Sequence, residues 1–340
     1  MRNTKKRSFP EWLREEKWGL LLLLAAAVLF LGARVGLGPG EAQAPLSGDY
    51  AEYEKGVVAE VLSDSTMQDE VSDGAWRGEQ LLTVEIKTGQ YAGKTLLVSN
   101  YVGPLYGVPL HPGDSAALIV STYADGEIRA TVYEYDRIPA LIGVVLLFGL
   151  ATVLVGGKTG LKSLVGLAVT VACLFWILIP LLLRGAPTLP TVFLCCVYIT
   201  AVAFTILGGL HRKTLCAMLG TVAGAALALL FGLAAQSLAR IDGLRMNSVE
   251  PLLQLRQTGV PIGLRYLLVG GVVISALGAV MDVAMSISSA LEELHAANPD
   301  YGAKELFRSG MNIGRDMVGT MTNTLILAFL GSGFTLIIYL

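Results

Sequence analysis

The sequence predicts a polytopic α-helical membrane protein of about seven spans, with a small extracytoplasmic β-rich, OB-like domain between spans 1 and 2. Three observations predict it. Of 340 residues, 54% are hydrophobic and 15% charged, with a mean hydropathy of +0.61; a soluble domain carries about 25% charged residues. The apolar residues fall in blocks of roughly 20, the length that crosses a hydrocarbon core about 30 Å thick. The charge is also uneven. Residues 41–137 hold 16 Asp/Glu and 6 Lys/Arg, a charge of −10, and the remainder holds 19 Lys/Arg and 11 Asp/Glu, a charge of +8. An acidic ectodomain lacks the basic surface that nucleic-acid binding needs, so no nucleic-acid partner is expected.

Residues 1–17 read as a basic cytoplasmic N-terminus. The run WGLLLLLAAAVLFLGARVGL (18–37) follows. EAQA at 41–44 ends in an A-x-A pattern that would suit signal cleavage. Pro45 would then be the first mature residue, which is unfavourable. The run therefore reads as an uncleaved signal anchor with the N-terminus inside.

Residues 41–137 change character. GVVAEVLSD (56–64), LLTVEIKT (81–88), KTLLVSN (94–100) and AALIVSTY (116–123) are short and partly alternating. Gly, Pro, Asn and Asp turns separate them, the pattern of a small antiparallel barrel. Five strands of OB-like size fit the length. The expected role is a folded spacer or scaffold, with a binding or gating module as the alternative.

Residues 139–340 read as a membrane helical bundle, with spans at 139–156, 161–183, 188–209, 214–236, 264–288 and 317–339. The linkers GGKTG, RGAP and HRKT are short, so these helices are expected as antiparallel neighbours. Thirteen Lys/Arg fall on the expected inner side and five in the short outer loops. That bias places the N-terminus inside and the β-domain outside. Gly220 and Gly224 form a GxxxG, a close-packing signal. GGKT at 156–159 is no phosphate loop, because position 152 is Thr where the pattern requires Gly. Cys173, Cys195, Cys196 and Cys216 lie in apolar runs, and His111, His211 and His295 lie far apart. No disulfide framework, metal site or cofactor is expected.

The stretch GAVMDVAMSISSALEEL (278–294) carries the candidate site. Asp282, Ser286, Ser289 and Glu293 fall at i, i+4, i+7 and i+11, on one helical face. Asn312, Asp316, Thr320 and Asn323 fall at i, i+4, i+8 and i+11 on the next helix. Antiparallel alignment would put Glu293 near Asn312, Ser289 near Asp316, Ser286 near Thr320 and Asp282 near Asn323. Eleven residues span about 16 Å of helix, so the stripes match in length. The expectation is a carboxylate-lined slot open to the cytoplasm, with Asp282 at its deep end and Met281, Met285, Met311, Met317 and Met321 flanking it. Ionisable groups inside spans mark ion or substrate paths. The alternative is hydrogen-bonding glue between helices, with Asp282 paired to Arg308 or Arg315. Glu292 reads as a solvated charge. In NPDYGAKELFRSGMNIGRD (298–316), Asn298-Pro299-Asp300 is a helix-start signal. A short amphipathic helix is expected over 301–309. Gly302, Gly310, Gly314 and Gly319 permit close approach or a break; a discontinuous segment would expose helix ends as in transporters, and the alternative is a surface helix resting on the inner leaflet.

MDVAMSISSALEE (281–293) and NIGRDMVGTMTNTLILAF (312–329) resemble the YibE/F-like family of bacterial multi-pass membrane proteins. GQYAGKTLLVSN (89–100) and HPGDSAALI (111–119) are similar to that family as well. The resemblance implies one N-terminal span, an extracytoplasmic β-domain and a helical bundle in a bacterial plasma membrane, and it implies no reaction. The resemblance implies an amphipathic stretch and a last span after the TNTLIL-containing span, so the expectation is either a truncated chain or one that lacks this eighth helix.

The expected function is a transporter or efflux component rather than an enzyme. GRD at 314–316 lacks the GxGD pattern of intramembrane aspartyl proteases, and no PAL tripeptide follows. A non-catalytic assembly or envelope factor, its ectodomain binding a partner, is the alternative. The expected partners are the lipid bilayer, an ion or small-molecule cargo, and a second copy or a related membrane protein.

Overall fold

A computed structural model of the chain describes residues 50–122, 128–241, 243–244, 249–257 and 259–339. The expected N-terminal span, 18–37, lies outside the described residues. Two compact units divide between Ala151 and Thr152.

The first unit is built from β1 (Tyr50–Asp64), β2 (Met67–Asp69), β3 (Ala75–Ile86), β4 (Thr95–Val102), β5 (Ser115–Thr122) and β6 (Ile128–Tyr135). β1 pairs with both β3 and β5, which closes the sheet in the order β1-β3-β4-β6-β5-β1. All pairings are antiparallel except β4 with β6. The result is a small barrel with an OB-like strand order. β1 reaches both neighbours because it bends at Gly56, which pairs with Ile86 and Ala116. A Cβ at Gly56 would strike the side chains of Val84 and Leu118. Alternation on β3 sends Leu82, Val84 and Ile86 inward, where they meet Val58, Val98, Leu118 and Val120.

One end of the barrel is closed by amides rather than apolar groups. Gln80 is buried, and its Oε1 accepts from the Leu110 N–H at 2.8 Å and from Asn100 Nδ2 at 2.9 Å. Its Nε2 donates to Asp64 Oδ2 at 2.8 Å. Asn100 Nδ2 also donates to the Val108 carbonyl at 3.0 Å. The connection over Val108–Leu110 is thus pinned to two strands, β3 through Gln80 and β4 through Asn100, and Gln80 is tied in turn to Asp64 of β1.

The residues after β6 are helical, and the first helix straddles the division at Ala151. α1 (Ile138–Cys173) is interrupted at Gly157, whose φ of 56° and ψ of −132° suit only glycine. A π turn at Leu174–Leu178 joins α1 to α2 (Ile179–Leu183). Pro180 explains the turn, because its ring excludes the carbonyl four residues back and offers no N–H. The expected spans 139–156 and 161–183 are thus two helices divided at Gly157, with Gly160 set against the Thr152 carbonyl. α3 (Thr188–Gly208) and α4 (Arg212–Ala239) follow. Next come α5 (Glu250–Gln257), α6 (Leu267–Ala297), α7 (Ala303–Ser332) and α8 (Phe334–Tyr339).

Among the described residues, four helical stretches are long and apolar enough to cross a membrane: Ile138–Leu183, which contains the break at Gly157, α3, α4 and Leu264–Ala297. The expected span 317–339 is not among them. It is the second half of α7 plus α8, separated at Gly333. The unit's core centres on α3, where Val192, Cys195, Cys196 and Ile199 pack with Cys173, Val269, Val273 and Leu277. The 237–263 connection packs Val249 and Ile262 with Leu264 in a smaller cluster.

Candidate functional site

α6 runs nine residues beyond its expected end, because SSALEELHA contains no breaker before Asn298-Pro299. α7 then starts at Gly302, whose N–H donates to Glu305 Oε2 at 2.6 Å. It continues unbroken to Ser332, so of the alternatives at Gly310 and Gly314 the break is absent and the close approach is present. Those glycines are instead contact points. A Cβ at Gly310 would lie 3.2 Å from Leu291 Cδ1, and one at Gly314 would lie 3.4 Å from Ile287 Cδ1. The two helices are antiparallel neighbours, in a register within about one turn of that expected.

Their rotation differs from the expectation. At about 100° per residue, Asp282 lies about 140° around α6 from Ile287, and Asp316 about 160° around α7 from Gly314. Each stripe therefore points away from the other helix. On α6, Asp282, Ser286 and Glu293 are exposed and Ser289 is half-buried. On α7, Asn312, Asp316, Thr320 and Asn323 are all exposed. The eight residues do not converge on one slot. The helices meet through Leu291, Ile287, Gly310 and Gly314, since small residues allow close approach and a shared apolar ridge fills it. The Thr320 hydroxyl donates to the Met317 carbonyl at 3.0 Å, within its own helix. No ion pair joins Asp282 to Arg308 or Arg315 among the described residues.

Other elements hold α6 in place. A Cβ at Gly224 would lie 2.6 Å from Val280 Cγ1, and one at Gly220 would lie 3.9 Å from Ala284 Cβ. The GxxxG of α4 thus seats α6. Lys213 Nζ meets Glu292 Oε2 at 2.7 Å, tying the start of α4 to the end of α6. Glu292, expected to be a free charge, is the one acid of this stretch with an ion pair among the described residues. The methionines are dispersed: Met281 packs against the α3-centred core, and Met285 Cε approaches Gly208. Met321 lines an apolar groove of about 510 Å³ between α4, α6 and α7, with Cys216, Val283, Ile287 and Leu325. Met317 is half-buried and Met311 exposed.

The residue pattern did not single out three hydroxyls inside the bundle. Tyr198 Oη, Thr214 Oγ1 and Thr221 Oγ1 are buried with no partner among the described residues. Thr214, Ala217, Thr221 and Ala225 form a buried stripe of small residues on α4, a signal readable at i, i+3, i+7 and i+11. Among the described residues no group of three His, Cys, Asp or Glu could hold a metal.

The model of the family described as YibE/F-like protein matches residues 144–340. The match covers the helices and begins after the barrel, so the likeness noted in the β-strands lies outside the matched residues. No curated protein and no solved structure matches the chain. With more than half of its length matched, including both polar stripes and the glycines that pack α6 against α4 and α7, the chain belongs to the YibE/F-like family and is a membrane protein.

Proposed function

We propose that this protein is a transporter or efflux component of the bacterial plasma membrane, with its pathway along the polar face of α6. The observation behind the reading is the exposed position of Asp282 on a helix long and apolar enough to span. A carboxylate facing hydrocarbon costs about 2.5–3.5 kcal/mol on the mildest scale, so such a face needs a polar surface opposite it. In this reading a second copy or a related membrane protein supplies that surface. Asp282, Ser286, Ser289 and Glu293 then line one wall of a pathway completed by assembly. Asn312, Asp316, Thr320 and Asn323 offer a second polar wall on α7. The N-terminus is cytoplasmic and the barrel extracytoplasmic. The protein has no catalytic residues and no cofactor in this scheme; the cargo is an ion or small molecule.

The test has two stages. Purified protein is screened against ions and small organic molecules by thermal shift, and hits are repeated with Asp282→Asn. Flux of the hit is then measured in proteoliposomes for the wild type, Asp282→Asn and Asp316→Asn. We expect the shift and the flux to be lost in Asp282→Asn. Unchanged flux in both variants removes the pathway.

A second reading, a non-catalytic assembly or envelope factor, has its own support on the barrel. Tyr53 and Tyr133 are exposed and stack edge to face at 5.3 Å, on a domain whose other large exposed side chains include Trp76, Tyr101 and Tyr106. Exposed aromatic groups are favoured at protein interfaces. Capture of one defined membrane or envelope protein by the full chain, lost in Tyr53→Ser/Tyr133→Ser with flux intact, favours this reading.

A further inference from the structure

We propose that a pocket at the C-terminal end of α4 binds a phosphate-bearing anion, and that the aliphatic walls select the headgroup of an acidic phospholipid. The pocket has a volume of about 600 Å³ and is formed by the last turns of α4, the residues just after it and the start of α6. Two guanidinium groups line it, Arg240 and Arg265, together with Gln236 and Ser237. Neither arginine forms an ion pair with a carboxylate among the described residues. Planar guanidinium forks match phosphate oxygens in a bidentate geometry, and two arginines belong to this one lining.

Arg265 is held in position, and the backbone of Arg240 is set by the end of α4. Gln236 Nε2 donates to the Arg265 carbonyl at 2.9 Å, which ties the α6 start to α4. The Arg265 guanidinium lies over the Tyr266 ring, 5.7 Å from its centroid, a contact that orients the charge. Arg240 sits at φ 50°, ψ 34°, the left-handed position that ends α4. Glycine is the usual residue there, so an arginine at this point bears a backbone cost for its side chain.

Helix electrostatics separate this reading from simple capping. A cation at the C-terminus of α4 complements that helix's dipole and needs no ligand. Arg265 has the opposite situation. It stands just before the N-terminus of α6, where the dipole disfavours a cation and favours an anion. A bound anion reconciles the two, because it meets both guanidiniums and the favourable end of α6. The walls identify the class further. Leu233, Ile241 and Leu244 line the same pocket, and α4 and α6 are both long and apolar enough to span. The pocket therefore lies where two such helices end. A free phosphate would leave those apolar walls bare, whereas a phospholipid covers them with its glycerol and acyl groups.

The experiment uses the full chain in neutral detergent and follows thermal unfolding with phosphatidylglycerol, phosphatidylcholine or inorganic phosphate added. A ligand that binds the folded state raises the unfolding temperature. We expect phosphatidylglycerol to raise it more than phosphatidylcholine does, with inorganic phosphate giving no rise. We expect that excess to fall by more than half in Arg240→Gln/Arg265→Gln and by a smaller fraction in Arg265→Gln. Lys304→Gln, a charge loss elsewhere on the helical unit, should leave it unchanged. If inorganic phosphate alone reproduces the excess and the double variant abolishes it, the site stands with the free anion as its source. An excess that survives both arginine variants, or no excess with either anion, overturns the site. If the double variant fails to fold, Arg265→Gln decides.

Discussion

Gly224 of α4 and Val280 of α6 fix the closest approach of two spanning helices: a Cβ on the glycine would lie 2.6 Å from Val280 Cγ1. No real Cβ tolerates that distance, so the contact sets the spacing along the whole pair. Gly220 and Ala284 continue it one turn away. The prediction is that Gly224→Ala destabilises the helical unit by about 1–3 kcal/mol, the usual cost of overpacking a closed contact. A compensating Val280→Ala in the same chain should recover most of the loss. Thermal unfolding of the three variants checks this, and a neutral Gly224→Ala would show that the helices are not packed at this distance.

The GxxxG was legible because two glycines four residues apart carry one physical meaning in an apolar run. The barrel was legible for a similar reason: Leu82, Val84 and Ile86 alternate, and alternation has one interpretation on a strand. The two polar stripes gave a correct neighbour relation and an incorrect rotation. Periodicity locates a polar face on each helix, but it does not say what lies opposite that face. Gly310 and Gly314 decide the rotation by packing on Leu291 and Ile287, the close approach that glycines permit, but their spacing does not say which helix they approach. The Lys213–Glu292 pair was illegible because its partners are 79 positions apart in sequence, at 2.7 Å in space. The break inside Ile138–Leu183 was legible as the glycine-rich linker GGKTG.

Asp64 makes the barrel's stability depend on pH. Its Oδ1 accepts from the Thr66 hydroxyl at 2.6 Å and from the Thr66 N–H at 2.8 Å, and its Oδ2 accepts from Gln80 Nε2. The Thr66 hydroxyl chiefly holds this carboxyl below its ordinary value of 3.8, with the Thr66 N–H and the Gln80 amide adding to it. Asp136 is lowered in the same direction, first by its hydrogen bond from Lys55. A depressed folded value stabilises the fold fully above the unfolded value of 3.8, and the contribution disappears as pH falls through the folded value. Asp64→Asn should therefore weaken the barrel at neutral pH, with the gap to wild type closing below about pH 4. Protection factors of the Leu82 and Val84 amides in the full chain measure it. A gap that widened on acidification would reverse the sign and refute the assignment.

The rotation of α6 predicts which side chains a reagent can reach. Ser286 and Ile287 are adjacent in sequence and about 100° apart around the helix. Ser286 is exposed on the face carrying Asp282, whereas Ile287 is half-buried against Gly314. In a chain with Cys216, the one exposed native thiol among the described residues, replaced by Ser, Ser286→Cys and Ile287→Cys should behave differently in detergent. The first should react quickly with a small maleimide and the second at least several-fold more slowly, since packing against α7 blocks approach. A slot between the helices would invert the order, because Ser286 would then face α7. In membranes the same comparison separates lipid exposure from assembly. A thiol at 286 that becomes protected on reconstitution, while Ser332→Cys on the exposed end of α7 stays reactive, is covered by lipid or by protein, and protection that is lost as the protein is diluted in lipid means that another polypeptide surface covers the stripe, as the proposed pathway requires.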